Sequence, residues 1–298
     1  MGVYHAGART VQDRVGVREQ ADHVGRAIGE GVKPVAAAFL ELQPLLVLGA
    51  ADPSTGRVWA SPLSGTPGFV RATGPDRMSV AGGVPEADPL ATALATPGTP
   101  VGTIALDPRT RRRMRLNGRL RPTARGFAVE AEKVFANCPK YLQRRESYEV
   151  VGDRERGVAV RGGELGPEQA EFIASADTFF MATVHSGTAA EASHRGGNPG
   201  FVQVDSPHEL SWRDYPGNSM FLTLGNLAAD PRAGLLFLDW TSGTTLQLTG
   251  EARTEFGGEF GTERRVRFTV TEVVETPSAV PLRWSAPEYS PANPEPAG

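Results

Sequence analysis

Cysteine is almost missing from this chain: Cys138 is the only one in 298 residues. An intrachain disulfide framework is therefore excluded, and nothing calls for an oxidising compartment. His185, His194 and His208 do not stand at tight metal spacing, so no structural zinc site is expected. Long hydrophobic runs are missing too. Stretches such as Leu45 to Ala51 are far too short to span a bilayer. After Met1 the chain reads Val3-Tyr4-His5-Ala6-Gly7 and soon turns charged, so no secretory signal is expected and the cytoplasm is the expected location. An excess of one charge is lacking as well: 31 Lys and Arg face 34 Asp and Glu. That balance gives no general pull toward nucleic acid or an anionic membrane. No Gly-x-Gly-x-x-Gly or P-loop pattern follows an expected strand, which excludes a nicotinamide-binding Rossmann unit.

Glycine and proline, by contrast, are plentiful, at 35 and 24 residues. Both punctuate turns, which favours many short strands over a few long helices. The chain also repeats itself. Pro67-Gly68-Phe69 recurs as Pro199-Gly200-Phe201, Gly102 to Asp107 recurs as Gly234 to Asp239, and Asn117-Gly118 recurs as Thr249-Gly250. All three anchors lie 132 residues apart. A constant offset over three anchors marks an internal duplication.

Periodicity places the elements. Arg9 to Glu30 reads as one polar surface helix, and Pro34 to Leu42 as a short helix with proline in its first turn. Leu45 to Ala51 is a buried strand; Val101 to Leu106 and Met114 to Asn117 flank a polar turn. Gly166 to Ser175 is a helix. Strands are expected at Thr178 to His185, Phe201 to Val204, Leu235 to Asp239 and Thr245 to Thr249, and at the alternating stretch Arg265 to Val274. The fold class is thus mainly β, with short flanking helices. The expected units are residues 1–152 with a leading helix, residues 153–286, and a Pro-rich tail, 287–298, that is frayed or a linker.

Candidate chemistry concentrates in the second unit. Ser193-His194-Arg195-Gly196-Gly197-Asn198-Pro199-Gly200 reads as a loop joining two strands. It sets a hydroxyl, an imidazole and a planar guanidinium fork beside glycines that allow close approach, which suits a phosphate or another anion. Trp212 and Tyr215 are candidates to pack an aromatic ligand, and Asn218 and Asn226 to bond its polar edges. Core filling is the competing reading for Trp212, and a helix end for Asn226. In the first unit, alternation puts Arg111, Arg113 and Arg115 on one face, where they repel unless an anion meets them. A solvated edge strand is the competing reading.

These residues resemble the FMN-binding split-barrel proteins related to pyridoxamine 5′-phosphate oxidase. The resemblance rests on Ser193-x-Arg195-Gly196, Pro199-Gly200-Phe201-Val202, Gly217-Asn218, Asn226-Leu227, Pro231-Arg232 and Gly234-Leu235-Leu236-Phe237, over about Asp177 to Ala252. It implies an internally duplicated FMN-binding split β-barrel, with FMN between the two units. The family's phosphate-binding arginine after Gly-Asn is replaced by Ser219, so Arg195, Arg213 or the first unit must supply that charge. Leu63 stands where Arg195 stands in the second unit, which implies one flavin per chain and a homodimer interface made partly intramolecular. Related flavin proteins carry a Cys-x-Lys segment followed by Arg near the flavin of the facing unit. That implies Lys140 and Arg144 as contacts, with Lys140 tuning the reduced ring. His194 is a candidate proton donor.

The resulting expectation is an FMN-dependent oxidoreductase passing hydride through flavin N5 to or from a small molecule. Reduced nicotinamide or a separate reductase is the expected electron source, and a homodimer is a further partner to consider. A non-catalytic flavin carrier, and a haem-binding split barrel with a histidine axial ligand, stand as alternatives.

Overall fold

Strand β1 (Leu45–Ala51) is apolar at every position because both of its faces are covered. Leu46 and Leu48 point into one core, while Leu45 and Val47 point to the opposite side. In the computed structural model, which describes residues 3–136, 138–258, 261 and 263–294, this strand belongs to a seven-stranded antiparallel sheet. Its other members are β2 (Val58–Ser64), β3 (Val70–Gly74), β4 (Arg77–Ala81), β5 (Pro100–Asp107), β6 (Arg112–Thr123) and β7 (Gly126–Ala136). They are bonded in the order β2-β1-β5-β6-β7-β4-β3.

Three short strands follow: β8 (Arg144–Arg145), β9 (Tyr148–Val150) and β10 (Val160–Gly162). The second sheet comprises β11 (Thr178–His185), β12 (Ala189–Gly196), β13 (Val202–Ser206), β14 (Glu209–Arg213), β15 (Arg232–Leu238), β16 (Thr245–Gly257) and β17 (Glu263–Thr276). Its order, β12-β11-β15-β16-β17-β14-β13, repeats that of the first sheet, with β10 added beside β17. Two last strands, β18 (Leu282–Trp284) and β19 (Pro287–Glu288), pair back onto β9 and β8. The helices are α1 (Ala6–Val15), α2 (Arg18–Gly25), α3 (Pro34–Glu41), α4 (Ala91–Ala95), α5 (Pro167–Ser175) and α6 (Leu222–Ala229). None of them, among the described residues, is long and apolar enough to cross a membrane.

Even the irregularities are duplicated. A bulge falls at Asn117/Gly118 between β6 and β7, and another at Thr249/Gly250 between β16 and β17. A side chain on either glycine would run into the facing carbonyl, of Glu130 or of Thr269. The fold is a mainly β, internally duplicated split barrel with short flanking helices.

The two sheets meet face to face. Val47, Ala60 and Ile104 of the first pack on Phe180, Ala182 and Leu236 of the second. Gly102 lies against the backbone of Glu191 and Ala192, and Gly234 against that of Val58 and Trp59. These contacts are reciprocal, as a pseudo-twofold requires.

Three expectations are corrected. The stretch Arg9 to Glu30 is not one helix: Gly16, at φ 71, ends α1 in the left-handed conformation and α2 starts afresh. The leading helix packs on the second unit rather than the first. Gln12 donates to the Met220 carbonyl at 2.9 Å, Val11 joins the second core, and Gly7 and Gly225 allow α1 and α6 to touch. The Pro-rich tail is docked as far as Pro294. Gln143 accepts from Ser290 N at 2.8 Å and from Asn293 at 3.1 Å, and Asn198 donates to the Pro294 carbonyl. The tail's last four residues lie outside the described ones.

The docking of α1 is pH-sensitive. His5 caps the helix by accepting from Ala8 N, and its ring stacks on His185 with centroids 4.1 Å apart. Burial, then the His185 and Lys133 charges, hold His5 down to about 4 from its ordinary 6.5. The charged ring is thus disfavoured in the fold, so His5's share of stability is complete above pH 6.5 and drains away as pH falls toward 4. His5→Asn keeps a capping side chain and removes the titration. Thermal melts across this window should show a shallower loss of Tm for that variant than for the wild type.

Candidate functional site

Strand β12 carries the central motif. Ser193, His194, Arg195 and Gly196 are not a loop but the last four residues of this strand, paired with Met181, Phe180, Phe179 and Thr178. The loop begins only at Gly197. Gly196 is needed there because a side chain would strike the Tyr141 carbonyl, so it admits a neighbouring segment rather than a ligand.

The strand end forms one wall of a cleft between the two units. Arg113 and Arg115 of β6 and the segment Cys138 to Tyr141 approach from the first unit. Trp212 and Arg213 of β14, the turn from Asp214 to Phe221, and the start of α6 complete it. Counted out to its open mouth, the cleft holds about 960 Å³. Six non-glycine residues among those described have positive φ, and three of them, Tyr141, Ser219 and Phe221, line this cleft. Backbone strain is therefore concentrated here, as it tends to be at working sites.

Inside, three guanidinium groups converge. Arg113 sits 2.7 Å from His194 Nδ1 and donates to the Cys138 carbonyl at 2.8 Å. Arginine only donates, so Nδ1 accepts and the His194 proton is assigned to Nε2. Arg115 lies against the Glu191 carboxylate as a buried ion pair out of hydrogen-bond alignment, and over the Phe135 ring. Thr223 donates to Glu191 at 2.5 Å. Arg195 reaches Ser193 Oγ at 3.3 Å, and lies 3.9 Å from Asp214, which is itself held by Arg264 at 3.0 Å.

The Nε atoms of Arg113, Arg115 and Arg195 are buried and have no partner among the described residues; nor do His194 Nε2 and Trp212 Nε1. Unpaired buried donors are costly and call for an acceptor. Burial, followed by Arg195 and Arg115, lowers Arg113 to about 10. Burial, then Arg113 and Arg195, pushes His194 well below its ordinary range. His194 is therefore neutral at physiological pH. As an imidazole whose Nδ1 faces Arg113, it positions that arginine, and the expectation of an imidazolium proton donor is corrected.

Of the other expected residues, Lys140 and Arg213 are exposed and line the cleft. Trp212 lines it too, but its ring is core, edge-on to Phe179 at 5.0 Å. Asn218 lines it while accepting from Met220 N at 3.1 Å, which shapes the turn. Arg111 does not reach the cleft. Its left-handed backbone, φ 52, breaks the alternation just before β6 and sends the side chain to the Leu142 carbonyl and Glu288. Arg144 also goes to Glu288, at 3.0 Å. Asn226 is buried on Thr183 and faces a second, smaller cavity with His5, Asn117 and Glu191. Sequence reasoning missed Glu191, Thr223 and Tyr141. Glu191 had a readable signal: a lone carboxylate among alanines on a buried strand.

The equivalent place in the first unit is closed. Gln247 donates to Ser61 Oγ at 2.8 Å and to the Ala60 carbonyl. Asp88 accepts from Ser61 at 2.6 Å and from Leu90 N at 2.9 Å. Burial raises the Asp88 carboxyl above its ordinary range, which suits a sealed place and not an anion site.

Comparison with known proteins adds an independent finding. No curated protein matches the chain. Solved structures similar to it include a pyridoxamine 5′-phosphate oxidase candidate from Lactobacillus delbrueckii, at 18% identity, covering 37% of this chain and 93% of that one, with TM-score 0.30. The FAD binding protein from Mycobacterium smegmatis is 14% identical over 40% of this chain and 98% of its own, with TM-score 0.28. HutZ, the haem storage protein from Vibrio cholerae, is 11% identical over 37% and 93%, also with TM-score 0.28. A model of the pyridoxamine 5′-phosphate oxidase family matches residues 165–260. Over that span, which carries the β12 motif and most of the second sheet, the chain belongs to the pyridoxamine 5′-phosphate oxidase family.

Proposed function

We propose that the chain binds one FMN in the cleft and acts as an FMN-dependent oxidoreductase on a small molecule. The observation that carries this reading is the meeting of three largely buried guanidiniums from both units, each with an unpaired Nε. A phosphate monoester supplies the acceptors they lack. Arg113, Arg115 and Arg195, with Ser193, hold it, and the first-unit arginines make good the charge that Ser219 does not provide. Glu191 fixes Arg115, and neutral His194 fixes Arg113. Trp212 and Phe221 offer apolar surface at the cleft. Bound FMN supplies hydride chemistry at its N5; the protein's part is to orient it and set its electrostatics. Reduced nicotinamide or a separate reductase provides the electrons.

A haem reading gains nothing from His194, whose Nδ1 is engaged by Arg113 and whose Nε2 is buried. The experiment is a titration of the purified protein with FMN, followed by flavin fluorescence. Binding should saturate at one FMN per chain, since Gln247 and Asp88 seal the other place. Absence of binding overturns the reading, and binding without turnover of any electron donor reduces it to a carrier.

A further inference from the structure

Beyond the inner arginines, the mouth of the cleft has a composition of its own. Each unit contributes one cation and one tyrosine from a short segment: Lys140 and Tyr141 from the first, Arg213 and Tyr215 from the second. The Tyr141 hydroxyl donates to the Pro216 carbonyl at 2.8 Å, and the two rings lie 5.2 Å apart. The segments are therefore tied together across the mouth. Both cations are exposed, and neither side chain has a hydrogen-bond or ion-pair partner among the described residues. Elsewhere at the cleft, cations are committed: Arg113 to His194 and Cys138, Arg115 to Glu191, Arg264 to Asp214. The Tyr215 hydroxyl likewise has no partner among the described residues.

We propose that this rim selects the substrate, and that the substrate is a small planar organic acid whose carboxylate meets Lys140 and Arg213 while its ring lies along the tyrosines. This deepens the FMN reading and rests on it. Two free cations placed on opposite sides of an opening attract a carboxylate and reject a cation of the same shape. Tyrosine rings give a planar body a matching surface. Burial raises the phenols of Tyr141 and Tyr215 above their ordinary range, so neither adds a negative charge to the rim at neutral pH. The inner arginines are not available for this role, because the phosphate occupies them.

The test uses benzoate and its neutral isostere benzamide, titrated into protein saturated with FMN and followed through the perturbed flavin absorbance. Benzoate should bind about tenfold tighter than benzamide, a preference that shrinks in high salt. The double variant Lys140→Met, Arg213→Met should bring the two ligands to equal affinity, leaving benzamide where it was. Equal binding by the wild type, or a preference that survives in the variant, overturns the proposal. If the protein takes up no FMN, the functional reading fails by itself. The same pair of ligands, titrated calorimetrically into cofactor-free protein, then decides the rim alone.

Discussion

Arg113→Met is expected to make the cofactor-free protein more stable while weakening its hold on FMN about 100-fold. The two effects have opposite signs for one reason. Without an anion, Arg113 is a largely buried cation pressed by Arg195 and Arg115, and its fall from 12.5 to about 10 measures that pressure. A shift of that size corresponds to about 3 kcal/mol as an upper bound. Some of it is screened, and methionine also loses the bonds to His194 and the Cys138 carbonyl, leaving a net gain of about 1–2 kcal/mol. With FMN present the balance reverses, because the phosphate loses a charge-assisted partner in a partly enclosed place. Thermal melts with and without FMN read both signs in one experiment. Arg161→Met is the control, since Arg161 is a half-exposed residue paired with Glu272 and should move neither melt appreciably. A variant destabilised in both states would show that Arg113 is an ordinary structural arginine.

The largest expected loss of stability lies at the join between the units. Gly102→Val places two methyl groups where the backbone of Glu191 and Ala192 already stands. Those atoms are main chain of β12, so no side-chain rotation relieves the clash, and the sheets must part. The cost is about 3 kcal/mol or more. In a chain of this size that lowers Tm by about 6–12 °C. The same displacement moves Glu191, and with it Arg115, so FMN affinity should fall together with Tm. Gly83→Val is the contrast: nothing lies within 4 Å of its Cβ position. Equal melting of the two variants would mean that the packing of the sheets on each other contributes little.

Much of the fold could be read from the chain itself, and the reasons are local. β1 and β11 appear residue for residue, because apolar runs bounded by turn residues leave little choice. The duplication was visible because glycines at bulges and turns have no substitute. What failed, failed at left-handed residues and at long range. Gly16 splits a helix that periodicity alone runs together, and Arg111 at φ 52 leaves a face on which alternation had put it. Arg113 meets His194 across 81 positions, and the tail is held by Gln143 across 147. No local pattern announces either pairing. Composition alone made a proline-rich end look loose, when a single buried glutamine was enough to anchor it.

The reciprocal packing of Gly102 and Gly234 has a further consequence. Two identical subunits facing each other receive every substitution twice, so neither site can change without the other. Joined in one polypeptide, the halves are released from that bond. Gln247 has taken the strand position that Arg115 keeps, and Trp59 the one that Glu191 keeps. One half has thereby become a fixed abutment, and the other is free to adapt its opening to a new ligand with no matching change across the axis.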